Sequence, residues 1–415
     1  LVGVSINLAI KGDLFGSAKK AVSGTNDKTA QEQTRVDELM GELGRVEEQQ
    51  RQDNLPGTRV TEPTEYKEGN KTAVIPAGFT VSKAEGETTI DGGLVIYLIN
   101  DKTDEEIKNL TWTGTELENL KKTYDQFVWI PISHEQINKM FICQAKTGSN
   151  GNCNIVAENG KAKCTTHNST QMAGRLYASN TAENYKKAYT EVYTANTGLR
   201  EPDVVTGSNG TSFDGSSTYL EYMSTVTGDN TSYASTAKFK ETLQNEYNEI
   251  VALIYNAGGY YVGRYETSNL TTTKGTAINV VAGTKSGIAN INWYYMYAQQ
   301  KAYAANKGLG NKVKSSMMLG TCHDQMLEFV NVEGKYDVTK AGNVGHTFSK
   351  FTTKPYLTGG VGYNENYSGY ETEPYKDLSK NIYDLEGNVC EWTTEAYDTL
   401  NRVGRGRRLR QQWFC

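Results

Sequence analysis

Proline is scarce, with seven residues in 415, so the turns of this chain must come from other residues. None of the six cysteines forms a CxxC, and without paired ligand spacing a zinc knuckle is not expected. The four histidines, His134, His167, His323 and His346, are scattered with no HExxH or comparable spacing and read as ordinary surface or core residues. Basic charge is not in excess either. A net charge of −5 offers no field for a phosphate backbone, which sets nucleic acid aside as a partner.

What is there points to a globular chain. Its 37% apolar content and 27 tyrosines are enough for a real core, and its length fits one large or two ordinary domains. The 41 glycines, with abundant Thr, Asn and Ser, predict a loop-rich fold whose turns are made by Gly and Asn. Tyrosine-heavy polar surfaces are common on exported binding proteins, because Tyr gives a large amphipathic contact at low entropic cost. Cys143, Cys153 and Cys164 fall in one polar stretch, with Cys322, Cys390 and Cys415 far from it. Two readings stand for the first three: one disulfide among them if the domain is exported, or free buried thiols.

Short β-branched or aromatic runs bounded by turn residues predict strands at 74–79, 93–99 and 127–131. Residues 143–235, rich in Thr, Asn, Ser, Gly and Ala, read as a loop-rich insertion with a short helix near 182–193. Phe239, Leu243, Tyr247, Ile250 and Ile254 recur at helical spacing and stop at Gly258-Gly259, which predicts a helix with a glycine at its C-terminus. A strand, Gly259-Tyr-Tyr-Val-Gly-Arg-Tyr-Glu266, follows, and its alternation predicts an internal ion pair of Arg264 with Glu266. A further helix is expected over 292–303.

The most informative stretch is 381–392, Asn-Ile-Tyr-Asp-Leu-Glu-Gly-Asn-Val-Cys-Glu-Trp, followed by Arg402-Val-Gly-Arg-Gly406. With the Gly-Gly-Tyr-Tyr-Val-Gly-Arg-Tyr-Glu string and the segments before it, this region resembles the formylglycine-generating-enzyme/sulfatase-modifying domain, a variant of the C-type lectin fold, as found in gut Firmicutes surface proteins. The likeness runs over about residues 74–406. It implies an α+β, C-type lectin-like fold at 74–415, interrupted by the 143–235 insertion. Asn381, Asp384, Gly387, Asn388 and Trp392 would be its structural signature. Cys390 stands where the family usually has Trp, and Cys322-His323 departs from the usual Trp-Asp helix start.

The apolar start, residues 1–10, is far shorter than the ~20 residues that cross a bilayer. Residues 1–22 are similar to the C-terminal half of a type IV prepilin-like helix, with a buried core helix end as the other reading. The resemblance implies a membrane contact or self-assembly through this helix and a sequence truncated at its start. Val36, Leu39, Leu43 and Val46 then predict an amphipathic helix, either a packed stalk or a solvated charged helix. The expected organisation is a pilin-like helix and stalk at 1–54, a linker at 55–73, and the lectin-like domain after it. At the far end, Arg407 to Cys415 departs from the family pattern. A one-base shift would read these codons as an Asn-rich segment, so a frameshift after Gly406 is expected.

The enzymes of this family use a reactive cysteine pair in an accessible, electropositive niche. The context of Cys415 does not match that pair, and Cys390 reads as a packed, inert thiol. No residue is therefore assigned as catalytic or as a metal ligand. Asp384 and Glu391 are expected to hold the turns of the fold or a structural calcium. Tyr397, Arg402 and Arg405 are the expected ligand contacts. The resemblance implies a non-catalytic, adhesin-like protein at the cell surface that binds a protein or glycan, similar to the variable proteins rewritten by diversity-generating retroelements. The alternative is a sulfatase-modifying oxidase.

Overall fold

A computed structural model describes residues 4–7, 52–145, 152–175, 199–200, 219–267, 278–282, 293–310, 312–330, 378–383, 391–396 and 402–405. It also places helical residues at 37, 41–42, 44–46 and 48–50. The β-branched and aromatic runs form a six-stranded sheet in the order Lys314–Met317, Val4–Asn7, Gly259–Gly263, Asp125–Pro131, Val95–Leu98, Thr80–Val81, with every neighbour antiparallel. Asp125–Pro131 and Gly259–Gly263 lie at its centre and are buried along nearly their whole length. That burial is why these segments read as continuous apolar runs instead of alternating ones.

Alternation along the two central strands divides the interior into two cores. Phe127, Trp129 and Tyr261 face one, with the helix Trp293–Asn306, the helix Tyr219–Thr227 and the hairpin formed by Thr64–Glu68 and Lys71–Ile75. Val128, Ile130, Tyr260 and Val262 face the other, with the helices His134–Met140 and Gly320–Val330 and most of the long helix Thr236–Ala257. Helices packed on a wholly antiparallel sheet, with no parallel βαβ pairing in it, make this an α+β architecture.

The long helix begins where the Ser235 hydroxyl accepts from the Lys238 N–H and ends at Gly258, whose φ of 70° gives the left-handed cap that glycine adopts without strain. At Gly259 a Cβ would strike the Ile130 carbonyl and the Trp129 ring, so only glycine lets the two central strands close here.

Three expectations are corrected. Val4–Asn7, expected in the pilin-like helix, is a strand filling the space between Gly259–Gly263 and Lys314–Met317. Its Val-Ser-Ile-Asn sequence has period two, and its insertion pairs two strand edges that would otherwise stand open. Residues 55–73, expected as a linker, belong to the domain. Leu55 and Val60 are buried, and Thr64–Glu68 pairs with Lys71–Ile75. The insertion is not only loop, since it carries strands, a hairpin and the helix Tyr219–Thr227; the helix expected near 182–193 lies outside the described residues.

Described residues between 37 and 53 are helical, with Val46 exposed; Val36, Leu39 and Leu43 lie outside the description. The end of this helix is fastened by Gln52, which donates to the Glu65 carbonyl at 3.0 Å and accepts from the Lys67 N–H at 2.8 Å. No helix among the described residues is long and apolar enough to cross a membrane.

Candidate metal centre

Asn159 and Gly160 both take positive φ, 51° and 73°, the geometry of a two-residue hairpin turn. They join Ile155–Glu158 to Lys161–Cys164, paired from Glu158 opposite Lys161 to Ile155 opposite Cys164. Pairing continues past the open end, where the Thr165 N–H donates to the Asn154 carbonyl at 2.9 Å. Cys153 and Cys164 are therefore delivered to the same end of the hairpin. Cys164 and Ser169 then exchange both backbone hydrogen bonds, at 2.8 and 3.2 Å. With Asn168 in the left-handed region at φ 48°, this tight loop returns His167 over Cys164.

The fourth residue comes from Phe141–Cys143, whose partner Met172–Arg175 sets Met172 opposite Cys143. Side chains of the long helix hold this strand pair. The Met172 N–H donates to Asn248 Oδ1 at 2.8 Å, and Gln244 Nε2 donates to the Met172 carbonyl at 3.0 Å.

Three sulfurs and one imidazole nitrogen meet here, all within 4.8 Å of one another. His167 Nδ1 lies 3.3 Å from Cys143 Sγ, 3.6 Å from Cys153 Sγ and 3.3 Å from Cys164 Sγ. Cys153 Sγ is 3.7 Å from Cys143 Sγ. A tetrahedral ion at ordinary Zn–S and Zn–N lengths separates its ligands by about 3.8 Å between sulfurs and about 3.6 Å from sulfur to nitrogen. The three thiols are buried and His167 is half-buried.

Burial pushes the Cys143 thiol up to about 12, and the adjoining thiols of Cys153 and Cys164 reinforce it. Burial raises Cys153 as well. At Cys164 burial acts in the same sense, but hydrogen bonds from the His167 and Asn154 backbone and from the two other thiols outweigh it and hold this thiol below its ordinary value. The Cys143 N–H also points at Cys153 Sγ, at 3.4 Å. Backbone donors aimed at sulfur are the partners a thiolate needs.

Of the two readings of these cysteines, free buried thiols is the one found. A search limited to CxxC passes over Cys164 and His167, three residues apart, which the structure brings into contact. His167, expected as an ordinary surface or core residue, faces three sulfurs. Cys143 and Cys153 are brought in by strand pairing, which no local spacing announces.

The signature region is only partly described. Asn381, with φ 65°, donates from Nδ2 to the Gly86, Gly92 and Gly93 carbonyls at 2.7, 3.3 and 2.8 Å. The Tyr383 N–H donates to the Arg264 carbonyl at 3.0 Å, and its ring stacks on Tyr265. Trp392 packs against the first core, and the carbonyl of its neighbour Thr393 accepts from Trp293 Nε1 at 2.7 Å. Arg402 and Arg405 lie in the strand Arg402–Arg405, opposite Ala396 and Glu391. Asp384, Gly387, Asn388, Cys390, Tyr397 and Cys415 are outside the described residues. Among the described residues, the cysteine–histidine set is the one group of three or more candidate metal ligands.

Arg264 takes Glu87 as its partner, not the expected Glu266, with Nη2 2.7 Å from Oε1. The strand ends at Gly263, before both Arg264 and Glu266, so the strand alternation that paired them does not reach these residues. Glu87, from the turn before Val95–Leu98, can meet the guanidinium head on.

Comparisons with family models, with curated proteins and with solved structures found no match to this chain.

Proposed function

We propose that this chain is a non-catalytic ligand-binding protein displayed at a cell surface, built on a C-type lectin-like domain of the sulfatase-modifying type. Its ligand face is the segment carrying Tyr397, Arg402 and Arg405, and its ligand is a protein or glycan. The observation that supports the non-catalytic part of this reading is the state of the described thiols. All four described cysteines are buried, three of them within the closed cluster. Burial and the Asp324 carboxylate push the thiol of the fourth, Cys322, far up. A reactive thiol needs access and positive surroundings, and none of these four has both.

Asn381 supports a scaffold role for the signature, because its amide is consumed by three backbone carbonyls. The deciding experiment applies the full chain to a glycan array and a panel of extracellular proteins, and in parallel incubates it with cysteine-containing peptides in air. Saturable binding weakened by R402A and R405A, with no peptide aldehyde by mass spectrometry, is expected. Aldehyde formation, or the absence of any binding, contradicts the proposal.

A further inference from the structure

We propose that Cys143, Cys153, Cys164 and His167 hold one Zn2+ in a closed, structural site. Four donors within 4.8 Å of one another are enough to fill a tetrahedral shell with no open position, as in structural zinc sites, whereas a catalytic site keeps one coordination position for water or substrate. Sulfur and imidazole donors in this geometry select zinc over calcium or magnesium, which take oxygen ligands.

A disulfide does not account for the arrangement. The sulfurs of Cys143 and Cys153 are 3.7 Å apart, against a bond length of about 2.05 Å, and a bond between them would leave Cys164 and His167 without a role. Convergence of three free thiols on one imidazole nitrogen also goes beyond hydrophobic packing, which has no need to aim His167 Nδ1 at all three sulfurs.

Binding replaces three S–H protons by one metal ion, so three protons leave as the neutral imidazole and three thiolates coordinate. The resulting centre carries one net negative charge. The Cys143 N–H facing Cys153 Sγ and the backbone donors at Cys164 are placed to offset it.

Mechanically, the ion fastens the end of Phe141–Cys143 to the open end of the hairpin and the loop beyond it. The long helix already grips the same strand pair through Asn248 and Gln244. The site thus clamps the base of the insertion to the body of the domain.

The test uses the full chain, purified without added metal. Elemental analysis is expected to give one zinc per chain that survives desalting and is released when a mercurial modifies the thiols. Replacement by cobalt(II) is expected to produce the intense visible bands of a tetrahedral site together with thiolate-to-cobalt charge transfer. C322A, outside the cluster, keeps the metal, and C164S loses it. H167C guards against a C164S chain that fails to fold, since it keeps one metal with stronger charge-transfer absorption. No bound metal, a Cys143–Cys153 disulfide in peptide mapping, iron in place of zinc, or a six-coordinate cobalt spectrum would each overturn the assignment.

Discussion

Arg264 and Glu87, 177 positions apart in sequence, form a buried ion pair with Nη2 2.7 Å from Oε1. The same guanidinium donates from Nη1 to Gln126 Oε1 at 3.1 Å and to the Tyr97 hydroxyl oxygen at 3.2 Å. Ser82 and Tyr97 in turn donate to Glu87 Oε2, at 2.7 and 3.1 Å. One charge pair thereby joins the strand Val95–Leu98, the turn before it, and the segment leaving Gly259–Gly263.

Removing one partner strands the other charge in the interior. R264M is expected to lower the unfolding free energy by about 3–5 kcal/mol, the usual cost of an uncompensated buried charge. The double variant R264M/E87L is expected to cost less than the two single changes added together. Urea denaturation measures both. A loss under about 1 kcal/mol for R264M contradicts the pairing.

Acid stability follows from the same carboxylate. Burial opposes ionisation of Glu87, but the Arg264 charge, hydrogen bonds from Arg264 and Ser82, and Lys121 outweigh it and hold the carboxyl below the usual range. Its folded pKa is thus lower than its unfolded value of about 4.3, so the folded state binds fewer protons in that window. Its contribution is complete above the unfolded pKa and is lost as pH falls through the folded one. Urea midpoints from pH 7 downwards are expected to drop more steeply for the wild type than for E87Q; parallel profiles contradict this.

Asn381 is expected to be the most sensitive signature residue. N381A removes the donors to three glycine carbonyls and places alanine at a positive φ, a loss of about 1–3 kcal/mol. G93A tests the same junction from the other side. Its φ is 92°, and a Cβ there would strike the Lys380 carbonyl. Both variants should lower the thermal midpoint, G93A more; an unchanged midpoint in either contradicts the junction.

Much of the central sheet was legible in sequence because its signals are local. The helix ending at Gly258 and the strand after it follow from 3.6-residue spacing and a left-handed glycine cap. The runs at 93–99 and 127–131 contain the observed strands Val95–Leu98 and, for the most part, Asp125–Pro131. What escaped depends on distant pairing. Nothing near Arg264 names Glu87, and nothing near Val4–Asn7 names the two strands that flank it. The candidate metal centre combines both cases. Cys164 and His167 are a local pair that was readable, while Cys143 reaches them only through a sheet register.

In the proposed centre four residues from separate segments share one tetrahedral ion. X-ray absorption at the zinc edge of the full chain tests it most directly. Three sulfurs at about 2.3 Å and one nitrogen at about 2.0–2.1 Å are expected, with no coordinating oxygen besides. A first shell of oxygen and nitrogen alone, or more than four ligands, would contradict it.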